Sequence, residues 1–429
     1  MEIQEIRKES EIEFLPTAWA MVALVLSLVC SPALLPTALP ALTRSRRADI
    51  FSRCSPSHMA TDSTTPDHLF VAGLGYVGLR VARAALARGW RVSGSARTPE
   101  KAAALRSLGI DAHSFDLDAD ATGLDTAGLA SLSNATHVLA TVPPVADLDR
   151  DPLLSLHRAR LLEAEHLRWA GYLSTTSVYG DHAGGWVDET SRTATAGAAL
   201  NRLAAEAEWL ALGETSGGAL ESHVFRLAGI YGPGRSALHT LKKRVAAAAV
   251  GGVEGALGVG GGASTAGITA AITADGGVSS PEGGAPSYVS RIHVDDICVA
   301  LLSSMARPAA GEGRGGVRGG HSDDQSMYKH IYNLADDEPA PRGEVMLFAA
   351  RLLGFKGGGE LETPILGVGG GGGARSPKSS RASRRMRENK RVCNFKMKVE
   401  LLGRGGGRLK YPTYRDGLIA LMGSESETV

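Results

Sequence analysis

The sequence predicts an α/β fold of the Rossmann type, with a doubly wound parallel sheet. Three consecutive features carry that expectation. A short apolar run, His68-Leu69-Phe70-Val71-Ala72, ends directly on glycine. The turn Gly73-Leu74-Gly75-Tyr76-Val77-Gly78 comes next, followed by an alanine-rich amphipathic stretch to Gly89. An apolar run that stops at a glycine reads as a buried parallel strand. A GxGxxG between such a strand and a helix is far more specific than the motif by itself.

The elements follow in chain order. In the first helix Val77, Val81, Ala84 and Ala85 share one face, and Gly89 suits the C-terminus. The glycine spacing allows a tight turn, a close approach of backbone to a pyrophosphate, and close packing of helix on strand. The uncapped helix N-terminus offers N–H groups and the positive end of its dipole to phosphates. Gly73, Gly75, Tyr76, Val77 and Gly78 are therefore candidate cofactor contacts. The second strand, Trp90 to Ala96, is followed by Arg97. An acid placed about 20 residues past the glycine turn marks an NAD site, because it accepts hydrogen bonds from the ribose hydroxyls. Arg97 instead matches a 2′-phosphate, so NADP is expected over NAD; a solvated arginine at a strand end is the plainer reading. Asp116 closes a third strand-like run within reach of an adenine amine. The run Val138 to Pro144 reads as a fourth strand entering a loop over the cofactor.

Composition bounds the rest. The 429 residues suffice for one large or two modest domains. A net charge of +1 gives no overall attraction for nucleic acid. The basic run Arg375–Arg391 has no interleaved aromatics for base stacking, so nucleic acid is not an expected partner. Cys30, Cys54, Cys298 and Cys393 are too scattered for a disulfide framework or a zinc site, and no metal site is expected. Many of the 54 glycines lie in Gly251–Gly284, Gly311–Gly320 and Gly357–Gly373, which read as flexible inserts. The N-terminal apolar run Phe14–Leu42 is broken by prolines, and its longest clean stretch, Ala18–Cys30, is about 13 residues. A stable membrane span needs roughly 20. The run fits a signal-peptide core, and the basic, serine-containing segment after it fits a transit peptide. Five glutamates at the extreme N-terminus argue against a standard signal, and Met59 offers an alternative start. Plastid or other organellar import is one expectation; a cytoplasmic protein with a leader that is no part of the fold is the other.

The chain resembles the extended short-chain dehydrogenase/reductases, the NAD-dependent epimerase/dehydratase family, in its atypical YeeZ-like branch. The resemblance rests on Gly73–Gly78, Tyr172-Leu173-Ser174-Thr175-Thr176-Ser177-Val178-Tyr179-Gly180 and Arg226-Leu227-Ala228-Gly229-Ile230-Tyr231-Gly232-Pro233-Gly234. Arg291-Ile292-His293-Val294-Asp295-Asp296, Lys390-Arg391-Val392-Cys393-Asn394 and Tyr411–Leu418 complete it. It implies a smaller, interleaved C-terminal substrate-binding part, and that Thr175, on the fifth strand, polarises a substrate carbonyl or hydroxyl. It also implies a Tyr-x-x-x-Lys pair on the next helix, in which the lysine makes the phenol a proton-transfer group. Here Arg202 stands at the lysine position, Glu206 at the usual acid, and Ala198 where the tyrosine belongs. Alanine has no proton to give. Arg202 remains suited to the nicotinamide-ribose hydroxyls, or to an i,i+4 pair with Glu206. Tyr179 is the nearest substitute phenol, or else a packing residue of its turn. Gly229 replaces an asparagine that contacts nucleotide sugars in the family, so such a substrate is not supported. His293, Asp295 and Asp296 either face the substrate or cap a helix over Ile297–Met305.

The expected division is a leader or disordered segment at 1–66, an NAD(P)-binding domain at 67–245 and a glycine-rich disordered insert at 246–288. The remaining core strand, helix and substrate-binding part occupy 289–429, with glycine-rich or basic inserts at 307–325 and 357–385. Two functions compete. One is an NADP-dependent oxidoreductase on a small carbonyl or alcohol, with Thr175, Tyr179 and Arg202 as catalytic candidates. The other is a non-catalytic cofactor-binding sensor or scaffold. The small-molecule partner and the oligomeric state are not legible.

Overall fold

The structure is a computed structural model that describes residues 66–115, 123–144, 151–217, 219–250, 257–258, 262–263, 286–307, 328–355, 388–403 and 406–426. The leader at 1–66 lies outside these apart from Pro66, as do the insert at 357–385 and, apart from Arg307, that at 307–325. The core is a sheet of seven parallel strands. They are β1 (His68–Ala72), β2 (Arg91–Ala96), β3 (Asp111–Ser114), β4 (His137–Ala140), β5 (Trp169–Thr175), β6 (Glu221–Leu227) and β7 (Ile331–Leu334). Their order across the sheet is β7-β6-β5-β4-β1-β2-β3. The order reverses at β1, which pairs with β2 on one side and β4 on the other. Crevices beyond the carboxyl ends of strands at such a reversal are where α/β sheets bind ligands.

Alternation along β1 explains the layers. Leu69 and Val71 enter one core, Phe70 and Ala72 the other. Helices α1 (Tyr76–Leu86) and α7 (Val294–Met305) cover the first face through Val77, Val81, Ile297 and Leu301. Helices α3 (Thr126–Ser133), α4 (Pro152–Leu162) and α5 (Ala198–Thr215) cover the second through Leu132, Leu154, Leu161 and Trp209. Helix α2 (Pro99–Arg106), capped by the Thr98 side chain, joins β2 to β3. Helices α6 (Ala237–Val250), α8 (Arg342–Leu352) and α9 (Tyr414–Ser426) complete the fold. Within the segment expected as a disordered insert at 246–288, some residues belong to described elements, among them the antiparallel pair Leu257–Gly258 and Gly262–Ala263. Helix α6 runs on to Val250, and Tyr288–Val289 pairs antiparallel with Ala340–Pro341. Short parallel pairings, Gly229–Tyr231 with Arg291–His293 and Trp186–Val187 with Arg391–Val392, bring distant segments over the carboxyl edge.

The cap of α7 is one of the three residues expected there. His293, not an aspartate, is the N-cap, and its Nδ1 accepts from the Asp295 N–H at 3.2 Å. Both aspartates lie inside the first turn. Asp295 binds Arg80 at 2.9 Å and Lys410 at 3.3 Å, while buried Asp296 accepts from the N–H groups of Lys410 and Tyr411. Neither aspartate is among the cleft-lining residues.

Among the described residues no helix is long and apolar enough to cross a membrane.

Candidate functional site

A cleft of about 910 Å³ opens beyond the carboxyl ends of β1, β4, β5 and β6. Its floor is the glycine turn. Gly73 has a φ of +95°, and a Cβ there would meet Thr141 Oγ1 at 2.7 Å and Val142 Cγ2 at 2.8 Å. The Gly73 N–H donates to Ser95 Oγ at 3.0 Å, and its carbonyl accepts from Thr141 Oγ1 at 2.5 Å. A Cβ on Gly78 would lie 2.4 Å from the Gly73 oxygen. Over Gly75, by contrast, a Cβ would find only the Gly73 oxygen, at 4.0 Å. No side chain caps α1 and its first turn holds no acid, and its first residues, Tyr76 and Val77, line the cleft. That combination of open space and unclaimed donors fits a dinucleotide pyrophosphate.

The other sequence candidates separate on inspection. Thr175, at the tip of β5, lines the cleft, and its hydroxyl accepts from the Ser177 N–H at 3.2 Å. That bond leaves the hydroxyl proton for another partner. Arg202 lines the cleft too. Its Nη1 donates to Tyr172 Oη at 3.3 Å and to the Leu173 carbonyl at 3.2 Å. It does not pair with Glu206. That carboxylate is buried and grips Arg226 instead, at 2.7 Å to Nη2 and 3.1 Å to Nε, while Ser174 Oγ donates to it at 2.5 Å. Arg97 is exposed, two residues past Ser95, which binds the glycine turn; it is not among the cleft-lining residues. Asp116 lies outside the described residues. Ala198 is exposed at the first position of α5 and does not line the cleft.

Tyr179 corrects the expectation of a proton relay. It is buried, and its hydroxyl donates to Asn333 Oδ1 at 2.8 Å while accepting from Arg226 Nη1 at 3.0 Å. Burial pushes the phenol up to about 12, with Arg226 pulling the other way. It is a strut beneath the cleft and does not line it.

Sequence reasoning missed several of the lining groups. Arg235, Tyr288, Arg291, Glu388 and Lys390 all reach the cleft from segments after β6. The available signals were the runs Arg291–Asp296 and Lys390–Asn394, in which Arg291 and Lys390 were noticed without a role. Arg291 is held by the carbonyls of Val289 and Ala340 at 2.8 and 2.9 Å. His293 lies against Tyr411, ring centroids 4.1 Å apart; burial drives its pKa down to about 4 and leaves its Nε2 without a partner among the described residues.

No family model matches the chain. It is 30% identical over 170 residues to the YeeZ protein of Escherichia coli K12, which involves 38% of this chain and 59% of that protein. The chain thus spans less than two thirds of the curated relatives it matches. Among solved structures, a conserved protein of unknown function from Silicibacter pomeroyi is 31% identical, with a TM-score of 0.55 over 84% of this chain and 99% of that one. The chain is thus a relative of that conserved protein and, over part of its length, of YeeZ, and it resembles the extended short-chain dehydrogenase/reductases. A candidate NAD-dependent epimerase/dehydratase from Methylobacillus flagellatus shares the fold at 21% identity and a TM-score of 0.51, over 84% of this chain and all of that one. A dTDP-glucose 4,6-dehydratase from Bacillus anthracis does so at 16% and 0.50, over 85% and 97%. In this chain the glycine turn, Thr175 and Arg202 share one cleft, and Ala198 lies outside it.

Proposed function

We propose that the protein is an NADP-dependent oxidoreductase acting on a small carbonyl or alcohol. The observation that carries this reading is the placement of Thr175 and Arg202 on the wall of the cleft whose floor is Gly75, Tyr76 and Val77. A nicotinamide cofactor bound there supplies or accepts the hydride. The open space over Gly75 and the uncapped α1 support the pyrophosphate contact. The Bacillus anthracis dehydratase, solved with NAD, supports the cofactor class. Arg97 is assigned to the 2′-phosphate, Arg202 to the ribose hydroxyls and Thr175 to the substrate oxygen. The exposed Ala198 favours a second reading, a cofactor-binding sensor without turnover.

One set of measurements separates them. Titration should give NADPH at least about tenfold tighter binding than NADH, a gap that Arg97→Ala closes. A carbonyl panel with NADPH should yield a substrate whose turnover Thr175→Ala lowers while NADPH affinity holds. Equal affinities sink the role of Arg97; a Thr175→Ala protein as fast as wild type sinks the active site. NADPH binding without consumption across the panel selects the sensor.

A further inference from the structure

We propose that Lys390, paired with Glu388, exchanges the proton at the substrate oxygen, the duty that Ala198 leaves unfilled; this rests on the oxidoreductase reading above. An ammonium has three N–H donors. Lys390 gives one to the Gly180 carbonyl at 2.9 Å and one to Glu388 Oε2 at 3.0 Å. Among the described residues nothing claims the third. The side chain is only 8% exposed, and what is open lines the cleft that Thr175 also lines. Gly180 closes the single helical turn Thr176–Tyr179 that begins at Thr175, so the ammonium is anchored one short turn from the hydroxyl meant to polarise the substrate.

The segment is clamped in place. The Asn389 carbonyl accepts from the N–H groups of His182 and Gly184 at 3.1 and 2.8 Å, and the Val392 N–H donates to Ser290 Oγ at 2.9 Å. Three phenols of the cleft wall are committed elsewhere: Tyr76 to the Pro233 carbonyl, Tyr231 to the Thr413 carbonyl and Tyr414 to Glu344. Tyr288 is the remaining competitor.

In the reductive direction, with a reduced nicotinamide dinucleotide as reductant, the carbonyl carbon gains hydride and its oxygen gains the proton from Lys390 Nζ. Lys390 is left as the amine and regains a proton through Glu388, whose side chain is 22% exposed and reaches solvent.

The test has two arms on the full chain. Trinitrobenzenesulfonate labelling, read by peptide mass spectrometry, should modify Lys390 and slow at least fivefold under saturating NADPH. Exposed Lys101 serves as the unprotected control. Failure to label, or indifference to NADPH, overturns the placement. In the second arm, with any substrate that wild type reduces, Lys390→Met and Lys390→Arg should each lower kcat 100-fold or more at unchanged NADPH affinity. Arginine keeps the charge but holds its proton, so turnover restored by Lys390→Arg overturns proton exchange. A loss seen in Tyr288→Phe and absent from both Lys390 variants hands the role to Tyr288. NADPH affinity shows that each variant is folded, and Glu388→Gln, with a flattened pH profile, supports the pair if a Lys390 variant fails to fold. A wild type silent on the whole panel overturns the oxidoreductase reading and this proposal together, whereas an active wild type with unaffected Lys390 variants overturns this proposal alone.

Discussion

Beneath Thr175, five polar side chains are knotted into one buried group. Arg226 reaches Glu206 and Tyr179, Tyr179 reaches Asn333, and Ser174 reaches Glu206. Glu206 and Arg226 side chains are each 3% exposed. A buried guanidinium is tolerated when its charge and donors are answered, and here a bidentate carboxylate answers them. Tyr179→Phe should therefore act on stability. It strips a donor from Asn333 and an acceptor from Arg226 in a dry setting, a cost of about 1–3 kcal/mol. Urea unfolding should show that loss, and NADPH titration should match wild type. An unchanged unfolding midpoint with a large fall in turnover would return the phenol to the chemistry. The local sequence could not reveal this knot. Spacing exposes Arg202 as the i,i+4 neighbour of Glu206, but the partner that wins, Arg226, lies on β6, where sheet pairing sets it beside Ser174.

The turn between β1 and α1 divides its work among its glycines. Gly75→Ala should fold normally, because its φ of −88° suits alanine and the nearest atom stands 4.0 Å from the new Cβ. The methyl instead occupies the surface that a pyrophosphate must approach, so dinucleotide affinity should drop by tenfold or more. Gly78→Ala should do the reverse at first order, driving a Cβ to 2.4 Å from the Gly73 carbonyl and costing about 1–3 kcal/mol of stability. Thermal unfolding and NADPH titration of both variants check the division; a destabilised Gly75→Ala of normal affinity would refute it. This element was legible because its information is contiguous: apolar strand, turn and helix face follow one another in sequence. The tip of β5 with Thr175 was legible in another way, through the resemblance of Tyr172–Gly180 to a family motif. The part of the cleft wall built by Tyr288, Glu388 and Lys390 was not legible. Lys390 meets Gly180, and Tyr288 meets Asn389, across long stretches of chain that leave no periodic trace. Of the three residues expected to cap α7, His293 holds the N-cap and the two aspartates follow inside the first turn.

At the scale of the molecule, buried histidines set the response to acid. Burial lowers His137 to about 4, His223 to about 3 and His330 to about 4, against an ordinary value of 6.5. The unfolded chain takes up protons below pH 6.5 that the folded protein refuses until about pH 4. Proton uptake thus favours unfolding, and stability falls as pH drops through that window. Buried Asp151, raised to about 6, and Asp336, also raised, oppose this by taking up protons in the folded state, but the histidines should still leave unfolding free energy lower at pH 5 than at pH 7.5. Urea titrations at the two pH values measure it, and equal stability would contradict the buried neutral state. The sheet has a further consequence, in time instead of space. Its last strand, β7, pairs with β6 through Ile331–Leu334, and the glycine-rich stretch separates the two in the chain. A ribosome that has released β6 still holds the codons for its neighbour. During that interval the growing sheet ends in an open row of N–H and C=O groups, the template for pairing with another nascent chain. How fast translation passes through the glycine-rich stretch sets how long that edge must wait.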